Sequence, residues 1–139
     1  MKANILYVAG PMSHIPQYNV PAFLDAEKDL LARGKKVVLP VDLNRPEEVA
    51  KLMACPLGTE SATGRTWEEL LSEDLLLIHK EGVEAICVLP GWQRSRGARL
   101  ETFYGRLRNL EIVHYPSLRA VAAKDIQVAH GVPLGVTNY

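Results

Sequence analysis

The stretch "VLPGWQRSRGARLE" (Val88–Glu101) decides how the chain is read. An apolar run stops at Pro90-Gly91, and Ser95 then stands where a helix takes its N-cap, with Arg96, Gly97 and Ala98 as the first turn. Strand, turn and helix follow one another within a few residues, which is the unit of an α/β chain. Three arginines, Arg94, Arg96 and Arg99, crowd the turn, and the one acid of the stretch, Glu101, comes last.

The same alternation extends in both directions. "NILYVAG" (Asn4–Gly10), "KKVVLP" (Lys35–Pro40), "EAICVLP" (Glu84–Pro90) and "EIVHYP" (Glu111–Pro116) are short apolar runs closed by Gly or Pro, the pattern of buried strands. Between them, Val20–Gly34 puts Phe23, Ala26, Leu30 and Leu31 on one helical face and ends on Gly34 as C-cap. Pro46 opens a short helix, and Thr66 with Glu69 forms a capping box for a helix to Gly82. Residues Arg96–Leu110 read as a helix with Leu100, Phe103, Tyr104 and Leu107 toward the core. A last helix is expected from Ser117. Cys55–Arg65 reads as a loop and the final residues as irregular. The expectation is one domain over 1–139: a three-layer α/β sandwich, flavodoxin- or Rossmann-like, with a mostly parallel sheet of four to five strands.

Bulk composition narrows the function classes. Of 139 residues, 47% are hydrophobic and 23% charged, a globular composition. Lys+Arg and Asp+Glu both number 16, so no net field would draw the chain to a nucleic-acid polymer or an anionic membrane. Two cysteines give no disulfide framework, and Cys87 reads as a small core residue. No apolar stretch approaches the roughly 18 residues a membrane helix needs, and no signal pattern opens the chain. A cytoplasmic protein is expected. His14, His79, His114 and His130 show no ligand spacing, so neither metal nor cofactor is expected. No G-x-G-x-x-G follows the first strand, which disfavours a nicotinamide-cofactor enzyme.

In parallel sheets of this kind ligands bind beyond the carboxyl ends of the strands. That edge collects the loop after Gly10, the loop after Pro40 and the turn Pro90–Ser95. Unpaired N–H groups of the helix after Ser95 favour an anion. Gly97, Glu101 and Gly105 lie at four-residue intervals, a bare strip carrying one carboxylate. Two readings of that strip stand side by side. Glu101 could face a bound molecule, or it could be a solvated acid pairing with Arg94, Arg96 or Arg108, with the glycines serving helix packing. Spacing alone leaves both open.

Three segments in order, "YVAGPM" (Tyr7–Met12), "SEDLLLI" (Ser72–Ile78) and "GWQRSRGARLE" (Gly91–Glu101), resemble the nucleoside 2-deoxyribosyltransferase superfamily, nearest a phage and bacterial branch. That superfamily also includes 2'-deoxynucleoside 5'-monophosphate N-glycosidases. The resemblance spans Tyr7 to about Leu110. It implies that Glu101 is the nucleophile for the anomeric carbon and that Asp74 lies near the nucleobase and helps protonate it. It implies that Tyr7 orients the nucleophile, that Gly10 forms the open turn under the base, and that Ser95 and Gly97 hold the 5' end. It also implies a homodimer or larger homo-oligomer, in which Asn138 or Tyr139 of a neighbour would reach the site. Trp92 is a candidate for stacking on the base, or for packing at the rim of the turn, and His14 and Tyr18 are further candidates for base contact.

These residue types suit N-glycosidic cleavage. The sugar passes through an oxocarbenium-like state that a carboxylate stabilises and can trap, while the departing base needs a proton. Water or a second base then resolves the glycosyl-enzyme. Arg94, Arg96 and Arg99 favour a 5'-phosphate over a neutral hydroxyl, so a deoxynucleoside 5'-monophosphate is the expected small-molecule partner. A non-catalytic nucleotide-binding module on the same fold is the alternative, and Leu43–Arg65, which carries no motif, is expected to cover the base.

Overall fold

Alternation of side chains along the central strands is what builds the layers. In a computed structural model that describes residues 3–62 and 64–131, β1 (Ile5–Ala9) points Leu6 and Val8 to one face and Tyr7 and Ala9 to the other. The next central strand, β3 (Ala85–Val88), divides in the same way, Ala85 and Cys87 against Ile86 and Val88. With β2 (Lys36–Val38) and β4 (Glu111–His114) they form a four-stranded parallel sheet in the order β2-β1-β3-β4. Both faces of β1 and β3 are apolar because both are covered.

Helix α1 (Val20–Ala32) covers the Leu6/Val8 face with Val20, Phe23, Ala26 and Leu30, joined by Leu52 of α2 (Pro46–Met53). The opposite face is covered by α3 (Trp67–Lys80), α4 (Arg96–Leu107) and α5 (Ala123–Gly131), through Ile78, Ala98, Ile126 and Ala129. This is a three-layer α/β sandwich, with the strand order turning between β1 and β3 as in doubly wound folds. Leu31 lies outside the α1 face expected for it, 54% exposed, because Val20 takes the fourth position of the stripe. Gly34 closes α1 with a left-handed φ of 82°, and Lys35 N–H reaches back to the Leu30 carbonyl. Thr66 and Glu69 form the reciprocal capping box that opens α3. Among the described residues no helix is long and apolar enough to cross a membrane.

Two elements differ from expectation. The last helix starts at Ala123 instead of Ser117. Residues 117–121 instead fold back along β4, where His114 N–H bonds the Arg119 carbonyl, Val121 N–H bonds the Ile112 carbonyl, and Leu118 sits at φ 60°. More consequentially, α4 is inverted relative to its apolar pattern. Of the four residues expected toward the core, Tyr104 packs against it, half-buried, while Leu100, Phe103 and Leu107 point outward at 38%, 46% and 67% exposure. Ala98, Glu101, Thr102 and Gly105 face the sheet. The inward stripe is the small one because α4 lies close against β3 and β4. A Cβ on Gly105 would meet Ile86 Cγ1 at 2.9 Å and Ile112 Cδ1 at 3.3 Å. Gly105→Ala is therefore expected to destabilise the fold by about 1–3 kcal/mol through overpacking, despite the better helix propensity of Ala, and a urea titration of the variant would read it.

Candidate active site

Close approach of α4 has a chemical result: it carries Glu101 to the sheet. The Tyr7 hydroxyl of β1 donates a hydrogen bond to Glu101 Oε2, and both residues are buried, Tyr7 completely and Glu101 to 4% exposure. Tyr7 sits mid-strand on the α4 side because of the period-two alternation of β1. From α3, Asp74 joins them, 8% exposed, with its Oδ1 accepting from Val41 N–H at 2.7 Å. Tyr7 and Asp74 lie 67 positions apart in the chain, and the strand-end edge brings them together.

Glu101 and Asp74 open onto a cavity of about 250 Å³ at the carboxyl ends of β1 and β3, with Tyr7 buried behind Glu101. Gly10, Ser95, Gly97, Asp74 and Glu101 all line it. The Ser95 side chain caps α4 by accepting from Ala98 N–H at 3.1 Å, and a Cβ on Gly97 would touch nothing closer than 3.9 Å. So Gly97 is open toward the cavity, whereas Gly105 of the same strip is closed by β-sheet packing. From the segment expected to cover the base, Leu52, Glu60, Ser61, Ala62, Gly64 and Arg65 line the cavity, as does Tyr18. His14 is exposed and does not line this cavity.

Other expected contacts lie elsewhere. Trp92 is 1% exposed in the core beside Ile86, Val88 and Ala98, so it neither stacks in the cavity nor packs at a rim. Its bulk fills the space under the turn that a smaller side chain would leave empty. Arg94 and Arg96 are exposed, and neither lines the cavity with Glu101. The Arg96 guanidinium is stacked instead over the Trp67 ring, 4.7 Å from its centre. Arg96 and Arg99 line a second, outer groove. Asn138 and Tyr139 lie outside the described residues.

Three contributors were missed from sequence. Asp42, 7% exposed, follows β2 in a short 3-10 turn and lines the cavity. An acid just beyond a parallel strand's carboxyl end was the available signal. Trp67, the first residue of α3, lines both the cavity and the outer groove. Arg65 also lines the cavity and pairs with Glu73.

Electrostatics make the acids unusual. Burial, then repulsion by Asp74, raises Glu101 well above the usual carboxylate range, against the Tyr7 hydrogen bond, which favours its ionised form. Burial raises Asp74 to about 7, with repulsion from Asp42 added and the Val41 N–H opposing. Burial also raises Asp42. The Tyr7 hydroxyl is held protonated by burial and by Glu101. Like charges this close in a desolvated site hold a proton between them near neutral pH. Such a pair can place negative charge on one carboxyl while the other donates. Among the described residues no group of three or more His, Cys, Asp or Glu is arranged to hold a metal ion.

A family model described as a domain of unknown function, DUF4406, matches residues 4–114, from the start of β1 to the end of β4. No curated protein and no solved structure matches the chain.

Proposed function

The chain belongs to the DUF4406 family, and from the site itself we propose that it cleaves the N-glycosidic bond of a 2'-deoxynucleoside 5'-monophosphate through a covalent glycosyl-glutamate at Glu101. The observation that carries this reading is the buried Tyr7–Glu101 hydrogen bond, with Glu101 and Asp74 lining one cavity. Tyr7 holds one oxygen of Glu101, and the other remains for C1' of a sugar. The proton shared by the two carboxyls resides on Asp74 once positive charge develops at C1', because the oxocarbenium ion stabilises ionised Glu101. From Asp74 it passes to the leaving base. Water attacking C1', with its proton taken by the now ionised Asp74, would then release the sugar phosphate and return Glu101 to its carboxylate; a second base would instead make a new nucleotide. The likeness of "YVAGPM", "SEDLLLI" and "GWQRSRGARLE" to the nucleoside 2-deoxyribosyltransferase superfamily supports the same chemistry.

Preference for a 5'-phosphate rests on the open first turn of α4 at Ser95 and Gly97. Beside it the Trp67 indole nitrogen lies 3.9 Å from where a Gly97 Cβ would be, with Arg96 stacked on that ring. Arg96 acts here from behind Trp67 instead of from the cavity wall. The reading includes a cytoplasmic homodimer or larger homo-oligomer. The experiment is a panel of deoxynucleotides and deoxynucleosides incubated with the protein, with free base followed by chromatography. Monophosphates are expected to turn over at least about tenfold faster than their nucleosides, the effect of one charge-assisted contact. Equal turnover would remove the phosphate preference. Release of base from none of them would remove the glycosidase reading.

A further inference from the structure

One buried acid of the cavity has no part in the cleavage chemistry. Asp42 is 7% exposed and lines the same cavity as Glu101 and Asp74. It follows Val41, whose N–H holds Asp74, and its charge raises the proton affinity of Asp74 and Glu101 alike. Asp42 therefore stands beside the proton donor. The other charged side chains of the wall are engaged. The Glu60 carboxylate accepts from Leu57 and Gly58 N–H, and Arg65 pairs with Glu73. Among the described residues, no hydrogen bond from another residue reaches the Asp42 carboxyl. A carboxyl so deeply buried is costly unless a donor meets it, and the open side of Asp42 is the cavity.

We propose that Asp42 selects the leaving base by accepting a hydrogen bond from its exocyclic amine, so that 6-aminopurine and 4-aminopyrimidine nucleotides are taken and their oxo counterparts rejected. The inference rests on the glycosidase reading for placing a base in this cavity. Burial favours the protonated form of Asp42, but its own N–H and Arg65 draw it toward the charged one. An ionised carboxylate accepts and cannot donate. The wall thus sets an acceptor, Asp42, next to a donor, Asp74, and the base must answer with a donor next to an acceptor. Adenine does so with its N6 amine beside N7, and cytosine with its N4 amine beside N3. Hypoxanthine turns two acceptors, O6 and N7, toward the same pair. Uracil in the orientation of cytosine reverses the order, with N3–H toward Asp74 and O4 toward Asp42. In either oxo base a carbonyl faces the carboxylate, which loses its hydrogen bond and meets a like partial charge.

The test compares nucleotides that differ at that one group, dAMP against dIMP and dCMP against dUMP. Base release by the wild type and by Asp42→Asn is followed by chromatography. Binding is measured by calorimetry on Glu101→Gln, with and without Asp42→Asn. With Asp42 present, each amino member should be favoured by at least about tenfold in both readouts, the effect of one hydrogen bond to a charged group. Asp42→Asn, whose amide can turn a donor toward an oxo group, should abolish or reverse that preference. Circular dichroism should show an unchanged fold, since the amide removes repulsion among buried acids. Equal handling of amino and oxo members with Asp42 present overturns the proposal, and so does a preference that Asp42→Asn leaves intact. Base released from all four nucleotides alike removes the selection and leaves the glycosidase reading standing. Selective binding without base release does the opposite. Failure of all four to bind overturns both.

Discussion

Glu101→Gln is expected to lower base release by about 10⁴-fold or more, because the substitution removes the nucleophile while keeping its shape. The amide cannot trap C1', yet its carbonyl still accepts from Tyr7, so the cavity and its ligand affinity should persist. Thermal stability should not fall at neutral pH. In the wild type, a buried carboxyl faces Asp74 with its affinity for protons raised by burial and by that repulsion. The neutral amide relieves both effects. Free base measured by chromatography and ligand binding measured by calorimetry would separate the two consequences. Residual activity above about one tenth of the wild type would show that Glu101 is not the reacting group. A protein that binds nucleotide but never releases base, with or without Glu101, would be a binding module on the same fold.

Asp74→Asn should have the second-largest effect, and it is expected in both rate and stability. As proton donor to the leaving base, Asp74 is expected to contribute about 10²–10⁴-fold. Its carboxyl is held at about 7 by burial and by Asp42, against an ordinary value of 3.8. The wild-type rate should therefore fall as pH rises through about 7, as the acid is lost, and the Asn variant should lack that limb. Stability follows from the same shift. The folded state binds this proton more tightly than the unfolded chain does, so its contribution is complete below the unfolded value. It is lost progressively as pH rises toward and through the folded one. Between about pH 5 and about pH 8 the wild type should lose roughly 2–3 kcal/mol from this group, or roughly 10 °C in melting temperature for a chain of this length. Asp74→Asn should flatten most of that slope. A melting profile with the same slope in both proteins would contradict the placement of the proton.

Periodicity told the layers apart but not the two sides of α4. Both stripes of that helix repeat at helical spacing, Leu100–Phe103–Leu107 and Ala98–Glu101–Thr102–Gly105, and hydrophobicity alone favours the wrong one. What decides is steric: Gly105 allows the helix down onto Ile86, and only then does Glu101 reach Tyr7. The strand ends were legible because apolar runs closed by Gly or Pro mark where a parallel sheet stops, and Gly10, Ser95 and Gly97 stand at those ends. Asp42 stood at an equivalent end and was overlooked because the segment after it carries no motif. The three arginines of the opening stretch misled in a different way. Their charge is visible in sequence, but the direction of Arg96 depends on Trp67, 29 positions earlier, which takes it out of the cavity. Trp92 was legible as a large apolar group but not as a core one, since only the fold shows that it lies beneath the turn.

The most direct measurement is the mass of the peptide that carries Glu101. The protein would be mixed with a slow 2'-fluorinated deoxynucleotide, quenched in acid and digested. A sugar-phosphate adduct on Glu101 is expected, absent from Glu101→Gln. Base released while that peptide stays unmodified, or an adduct on another residue, would contradict it.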